Sequence, residues 1–244
     1  MEAFKPECYM RILSRFISQK NVAKVWEKLS ELEELIGEGN IPWEELVNYP
    51  SKESLAVLAA RNGSVCVLKA LLMKNAPLLY FETGNLDGKR PIHEAVENLD
   101  LSSVQYLVET VGVSVNSLKR ADWTPLMLAC VKGNLAIVQY LISKNADVHF
   151  RNKDGWNAFH LACREGNLDI VELLYSSEDA KAISNNGRSP LHTAALHGRL
   201  DVVQFLLKQC GYNPEALDAS GHSPIENAKV AGHMEIARLL EMAR

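Results

Sequence analysis

The chain has 244 residues, 47% of them hydrophobic and 23% charged, with a formal net charge of −4. That composition excludes wholesale disorder, and the acidic balance argues against a general polyanion binder. At roughly 150 residues per domain, length alone leaves one or two domains open. Met1 to Glu7 hold no apolar signal core, and no stretch approaches the roughly 18 consecutive apolar residues of a membrane helix. Five cysteines, at 8, 66, 130, 163 and 210, form an odd set without a C-x-x-C pair. The expectation is a cytoplasmic or nuclear protein with reduced thiols and no membrane partner.

Residues 1–50 predict two amphipathic helices. The first carries Ile12, Leu13, Phe16 and Ile17, the second Val22, Val25, Trp26, Leu29, Leu32, Leu35 and Ile36, with Gln19-Lys20 at the turn between them. Glu27, Glu31, Glu33, Glu34 and Glu38 give the pair a polar face, which suits a divergent unit capping the end of a repeat array. Residues 37–42 and 48–51 look like linker breaks.

From residue 51 onward the chain repeats itself. A weak copy runs from Ser54-Leu55 through Gly63 to Leu72. Clear copies follow at Arg90-Pro91-Ile92-His93, Thr124-Pro125-Leu126-Met127, Asn157-Ala158-Phe159-His160, Ser189-Pro190-Leu191-His192 and Ser223-Pro224-Ile225-Glu226. With Pro91, Pro125, Ala158, Pro190 and Pro224 as markers, the spacings are 34, 33, 32 and 34. Proline suits the first turn of a helix, where its missing N–H costs nothing, and the Ser or Thr before it is a natural N-cap. Eight residues after the marker stand Gly133, Gly166, Gly198 and Gly232, each placed to reverse the chain into a second helix. Leu99 holds that position after Pro91, which predicts a locally altered helix turn there. Asp87-Gly88, Asp154-Gly155 and Asn186-Gly187 predict tight turns at finger tips between repeats.

These residues and their period resemble the ankyrin-repeat family, whose signature is T-P-L-H-x-A over 33 residues. The resemblance implies an all-α ankyrin-repeat α-solenoid of about six recognisable repeats plus a divergent N-terminal helical cap. The whole of 1–244 is then one domain, with 1–50 as capping helices and 51–244 as ankyrin repeats. Such arrays are usually monomers.

His93, His160 and His192 recur at one repeat position, so they read as local backbone hydrogen-bonders rather than metal ligands or bases. Cys130 and Cys163 share another position and read as small buried groups. Gly84 to Arg90 has the wrong spacing for a phosphate loop, with arginine after the lysine. With repeat positions subtracted, no catalytic constellation remains. The chain therefore reads as a non-enzyme with no cofactor and no metal.

In ankyrin arrays the variable positions lie on finger tips and on the exposed face of the first helix. Two residues before each marker stand Lys89, Trp123, Trp156, Arg188 and His222; five before it, Arg120 and Lys153. Six or seven after it stand Lys132, Arg164 and His197. This basic, aromatic set predicts a protein-binding surface, since Trp and Arg dominate binding hot spots. The alternative is that each indole packs on its neighbour's finger and only stiffens the array.

Asp122-Trp123, Trp156-Asn157 and Phe159-His160 depart from the consensus and resemble one branch of the family. That branch implies a non-catalytic partner of alanyl-tRNA synthetase that limits serine mistranslation by accepting serine on surface lysines. Lys153 and Lys181 match its lysine positions, and the third is Arg120. Two further readings stay open: a co-regulator covalently modified on lysine, and an RNA-binding module using the basic groove.

Overall fold

The computed structural model describes residues 5–36, 41–48, 51–175 and 182–243. Among them are fifteen α-helices and a single pair of two-residue strands, an all-α architecture. The chain divides into two compact units, residues 1–120 and 121–244.

In the first unit, α1 (Pro6–Ser18) buries Met10, Leu13 and Ile17. The chain turns at Lys20, φ +53°, into α2 (Val22–Ile36). The acidic face of α2 is not wholly solvated: Glu33 receives the Lys74 ammonium at 2.7 Å, and Lys74 lies 4.5 Å from the Trp26 ring centre. Glu38 and the first break of 37–42 lie mostly outside the described residues. The second break is ordered on both sides, where β1 (Val47–Asn48) pairs antiparallel with β2 (Glu53–Ser54). The first full repeat follows as α3 (Leu55–Arg61) and α4 (Val65–Met73).

Leu55 and Pro91 are 36 residues apart, a little over the usual period, and the connection between them holds α5 (Leu78–Glu82), with Tyr80 and Phe81 buried. The Tyr80 hydroxyl donates to the Leu46 carbonyl at 2.8 Å and accepts from the Leu55 amide at 2.9 Å. Burial pushes its pKa up. The next pair is α6 (Pro91–Glu97) and α7 (Leu101–Tyr106). The latter widens into a π-turn over Leu107–Val111 that ends at Gly112, φ +83°.

The altered turn expected at Leu99 does not occur. Leu99 takes φ +59°, as the glycines of its column do. Leu99 N donates to Val96 O at 3.0 Å and Asp100 N to Ala95 O at 3.0 Å, the same bonds that Gly63 and Ser64 make one repeat earlier. Two backbone hydrogen bonds hold the leucine in a left-handed conformation it intrinsically disfavours.

Among its described residues the second unit holds four helix pairs: α8 (Pro125–Lys132) with α9 (Leu135–Ser143), and α10 (Ala158–Glu165) with α11 (Leu168–Leu174). After them come α12 (Pro190–Leu196) with α13 (Leu200–Cys210), and α14 (Pro224–Val230) with α15 (Met234–Met242). Thr124, Asn157, Ser189 and Ser223 each accept the backbone N–H three residues on, so the N-cap column is real. Helices α8, α10, α12 and α14 pack side by side. Ala129, Cys130, Ala162, Cys163, Ala194 and Ala195 are fully buried, and their small side chains permit that approach. Burial raises the Cys130 thiol pKa, which keeps it protonated and inert.

The fingers obey one rule. Gly155 and Gly187 close two of the predicted tips, each donating to the carbonyl three residues back at 2.9 Å with a left-handed backbone, and Gly221 closes a further tip in the same way. Lys153 N reaches Ala121 O, Asn185 N reaches Asp154 O, and Ala219 N reaches Asn186 O, at 3.2, 3.0 and 2.9 Å. One backbone bond thus ties each finger to the one before. The finger before Trp123 has no glycine, and Ala121 and Asp122 take φ +64° and +60°.

Candidate partner-binding cleft

The histidine column does backbone work. The amides of Arg90 and Ser189 donate to Nδ1 of His93 and His192, so Nε2 carries the proton. Nε2 donates to Ser117 O at 3.1 Å and to Ala216 O at 2.9 Å respectively. Asn157 changes the third copy: its Oδ1 accepts from the His160 amide and lies 2.8 Å from His160 Nδ1, so there Nδ1 is the protonated nitrogen.

Two side chains six residues before a marker reach towards the preceding finger. Asn85 Nδ2 donates to Glu53 Oε1 at 3.4 Å, and Asp218 Oδ2 accepts from Arg188 Nε at 3.2 Å. In each case the partner sits two residues before the previous marker. Asn152 holds this position in the third clear copy, where that partner position is Trp123. Asn152 Oδ1 is committed to the amides of Asp154 and Trp156 at 3.0 and 2.9 Å, which fixes the orientation of the carboxamide. Its Nδ2 is buried and has no hydrogen-bond partner among the described residues.

Asn152 lines a cleft of about 210 Å³ together with Trp123, Asp154, Trp156, Arg164 and Asn186. Both indoles are half-buried. Trp156 contacts its own repeat, with Arg164 at 5.3 Å from the ring centre and the His160 ring at 6.4 Å, inclined 26°. Trp156 thus rests against residues of its own helix.

Most of the expected basic charge is already spent. Arg164 pairs with Glu165 at 2.6 Å, and Arg188 with Asp218, whose side chain is only 1% exposed. Arg120 pairs with Asp87 at 3.2 Å and donates to Leu86 O at 2.9 Å, bracing the finger before it. Lys89 belongs to a network on the first unit, 2.7 Å from Glu97 and 3.9 Å from Glu94, while Arg61 joins Glu94 to Glu53. Burial alone would lower the Lys89 pKa; Glu97 and Glu94 more than reverse this, and it is raised. His197, at an exposed edge, is pushed down by partial burial and by Arg164 and Arg199. His222 is exposed. Lys132 and Lys153 are exposed and make no ion pair among the described residues. Lys181 lies outside the described residues. The surface expected to be basic is thus aromatic and largely charge-paired.

Of the expected set, the structure brings Trp123, Trp156 and Arg164 to one cleft. Asn152, Asp154 and Asn186 were missed; the tip glycine after Asp154 and after Asn186 was the available signal. Among the described residues no cluster of three His, Cys, Asp or Glu side chains could hold a metal ion. None of their helices is long and apolar enough to cross a membrane.

The family model for ankyrin repeats (3 copies) matches residues 55–152, 126–218 and 178–242. The chain belongs to the ankyrin-repeat family. It is an all-α ankyrin-repeat protein and, as such, a protein–protein interaction scaffold. It is 36% identical over 66 residues to the mitochondrial liver isoform of glutaminase from Rattus norvegicus, covering 27% of this chain and 11% of that protein. It is 40% identical over 53 residues to 26S proteasome non-ATPase regulatory subunit 10 of Dictyostelium discoideum, covering 22% and 23%. It is 41% identical over 68 residues to human protein phosphatase 1 regulatory subunit 27, covering 28% and 44%. The chain spans less than half the length of each of these relatives.

Proposed function

We propose that this ankyrin-repeat protein is a non-catalytic scaffold that docks a partner protein through the cleft between Trp123 and Trp156. The observation that carries the reading is two half-buried indoles flanking a buried amide whose Nδ2 finds no partner among the described residues. Tryptophans in desolvated pockets supply a disproportionate share of binding energy, and an unpaired buried donor costs about 1–3 kcal/mol unless a partner satisfies it. The two regulatory subunits among its relatives fit a chain that works by binding rather than by chemistry. The test is affinity purification with the native chain and with Trp123→Ala/Trp156→Ala. Loss of the captured partner with the helical signal intact supports the cleft; an unchanged partner set refutes it.

The narrower form of this reading rests on resemblance to ankyrin repeat domain-containing protein 16. In that form the partner is alanyl-tRNA synthetase and serine is captured on lysine. Lys153 suits the role, being exposed and making no ion pair among the described residues, whereas a guanidinium at Arg120 cannot serve as the amine acceptor. Intact-mass measurement after incubation with synthetase, ATP and serine should then show a seryl adduct on Lys153 or Lys181. No adduct removes the narrower form and leaves the scaffold reading in place.

A further inference from the structure

We infer that the Trp123–Trp156 cleft takes a neutral, acceptor-rich extended peptide in the polyproline II conformation, one of whose backbone carbonyls accepts from Asn152 Nδ2. The inference rests on the proposed function and names the chemistry of the partner segment.

Three observations lead to it. First, Asn152 does not make the finger-to-finger side-chain bond that Asn85 and Asp218 make from the same column. Asn85 and Asp218 are paired to Glu53 and Arg188, while Asn152 Nδ2 is 95% buried with its residue and finds no acceptor among the described residues. The amide cannot turn to exchange its ends, because Oδ1 is held by two backbone N–H groups. Second, the charges around the cleft select the acceptor. Asp154 stands at the rim and opposes a carboxylate, and Arg164 is already neutralised by Glu165. A peptide carbonyl satisfies the donor without an anionic charge. Third, the dimensions suit a chain laid across fingers. About 210 Å³ is below the range of pockets for whole small molecules, about 300–1,000 Å³, and admits one side chain. Packed helices stand about 8–10 Å apart. A polyproline II helix returns to the same face every three residues, at about 3.1 Å each, or roughly 9 Å. It is pre-ordered, has no internal hydrogen bonds and offers its carbonyls outward, and aromatic-lined grooves recognise it elsewhere on those grounds. Binding parts the two indoles far enough for the carbonyl to reach the amide.

The experiment titrates the full chain with N-acetyl-decaproline amide, with a Gly/Ser decapeptide as control. Tryptophan fluorescence and the side-chain amide resonances of Asn152 are the readouts. Saturable binding of decaproline but not of the control, with the Asn152 Nδ2 protons shifted, is the expected result. Asn152→Asp keeps the turn, as Asp218 does in its own finger, but replaces the donor with an acceptor. It should weaken binding about tenfold. Trp123→Ala, which leaves that turn untouched, should do the same or more. Absence of saturable binding, equal binding of the Gly/Ser peptide, or undiminished binding by a folded Asn152→Asp protein overturns the inference. If decaproline fails while Trp123→Ala/Trp156→Ala still loses the captured partner, this inference falls and the proposed function stands. If the double variant also keeps its partner, both fall.

Discussion

Arg188 Nε donates to Asp218 Oδ2 at 3.2 Å, and this pair is the ionic counterpart of Trp123 and Asn152 two repeats earlier. Asp218 also accepts from the amides of Ser220 and His222 at 2.9 and 3.0 Å. Burial would raise its pKa; the His222 amide, Arg188 and the Ser220 amide outweigh that and hold it at about 2. A carboxylate depressed on folding contributes stability above its unfolded pKa, near 3.9, and loses it as pH falls towards 2. Urea unfolding between pH 5 and pH 2 should therefore show a falling midpoint, and Asp218→Asn should flatten that fall.

His192 acts in a higher window. Burial lowers its pKa, and the Ala216 carbonyl recovers only part of the effect. A histidine kept neutral by folding contributes stability that is present above about pH 6.5 and lost as pH drops below it. His192→Gln should reduce the slope of stability against pH between 7 and 5, measured by the same unfolding midpoint.

Leu99 carries backbone strain with little side-chain return, being 49% exposed. The left-handed conformation costs a non-glycine residue about 1–2 kcal/mol, partly offset by the greater unfolded-state freedom of glycine. Leu99→Gly should stabilise the protein by about 1 kcal/mol, or about 2–4 °C in a thermal melt of a chain this size.

Tyr80 ties the N-terminal segment to the first repeat through Leu46 and Leu55. Tyr80→Phe preserves the ring packing against Trp43, centroids 5.2 Å apart, and strands a buried carbonyl and a buried amide. The expected cost is about 2 kcal/mol, read as a lower denaturant midpoint with an unchanged helical spectrum.

The period was legible because each column repeats one physical task. Ser54, Thr124, Ser189 and Ser223 cap helices, the tip glycines turn, and His93 and His192 bridge to the next finger. What the sequence concealed was pairing across columns. Lys89, Arg164 and Arg188 count as free charges until Glu97, Glu165 and Asp218 are seen beside them. Asn152 was hidden for a related reason. Its column reads Asn85, Lys119, Asn152, Ser184 and Asp218, a set in which only asparagine recurs, because its job depends on the residue the previous finger presents. Leu99 misled in the opposite sense: the backbone hydrogen bonds that close the helix end impose on a leucine the turn its side chain opposes.

The central claim is that the Trp123–Trp156 cleft carries the partner. The most direct measurement is the dissociation constant of the captured partner for the native chain, for Trp123→Ala and for Glu97→Gln, a change in the first unit's ion network. The account predicts at least a thirtyfold loss for Trp123→Ala, the scale of a hot-spot residue at about 2 kcal/mol, and native affinity for Glu97→Gln. Native affinity for a folded Trp123→Ala protein would contradict it.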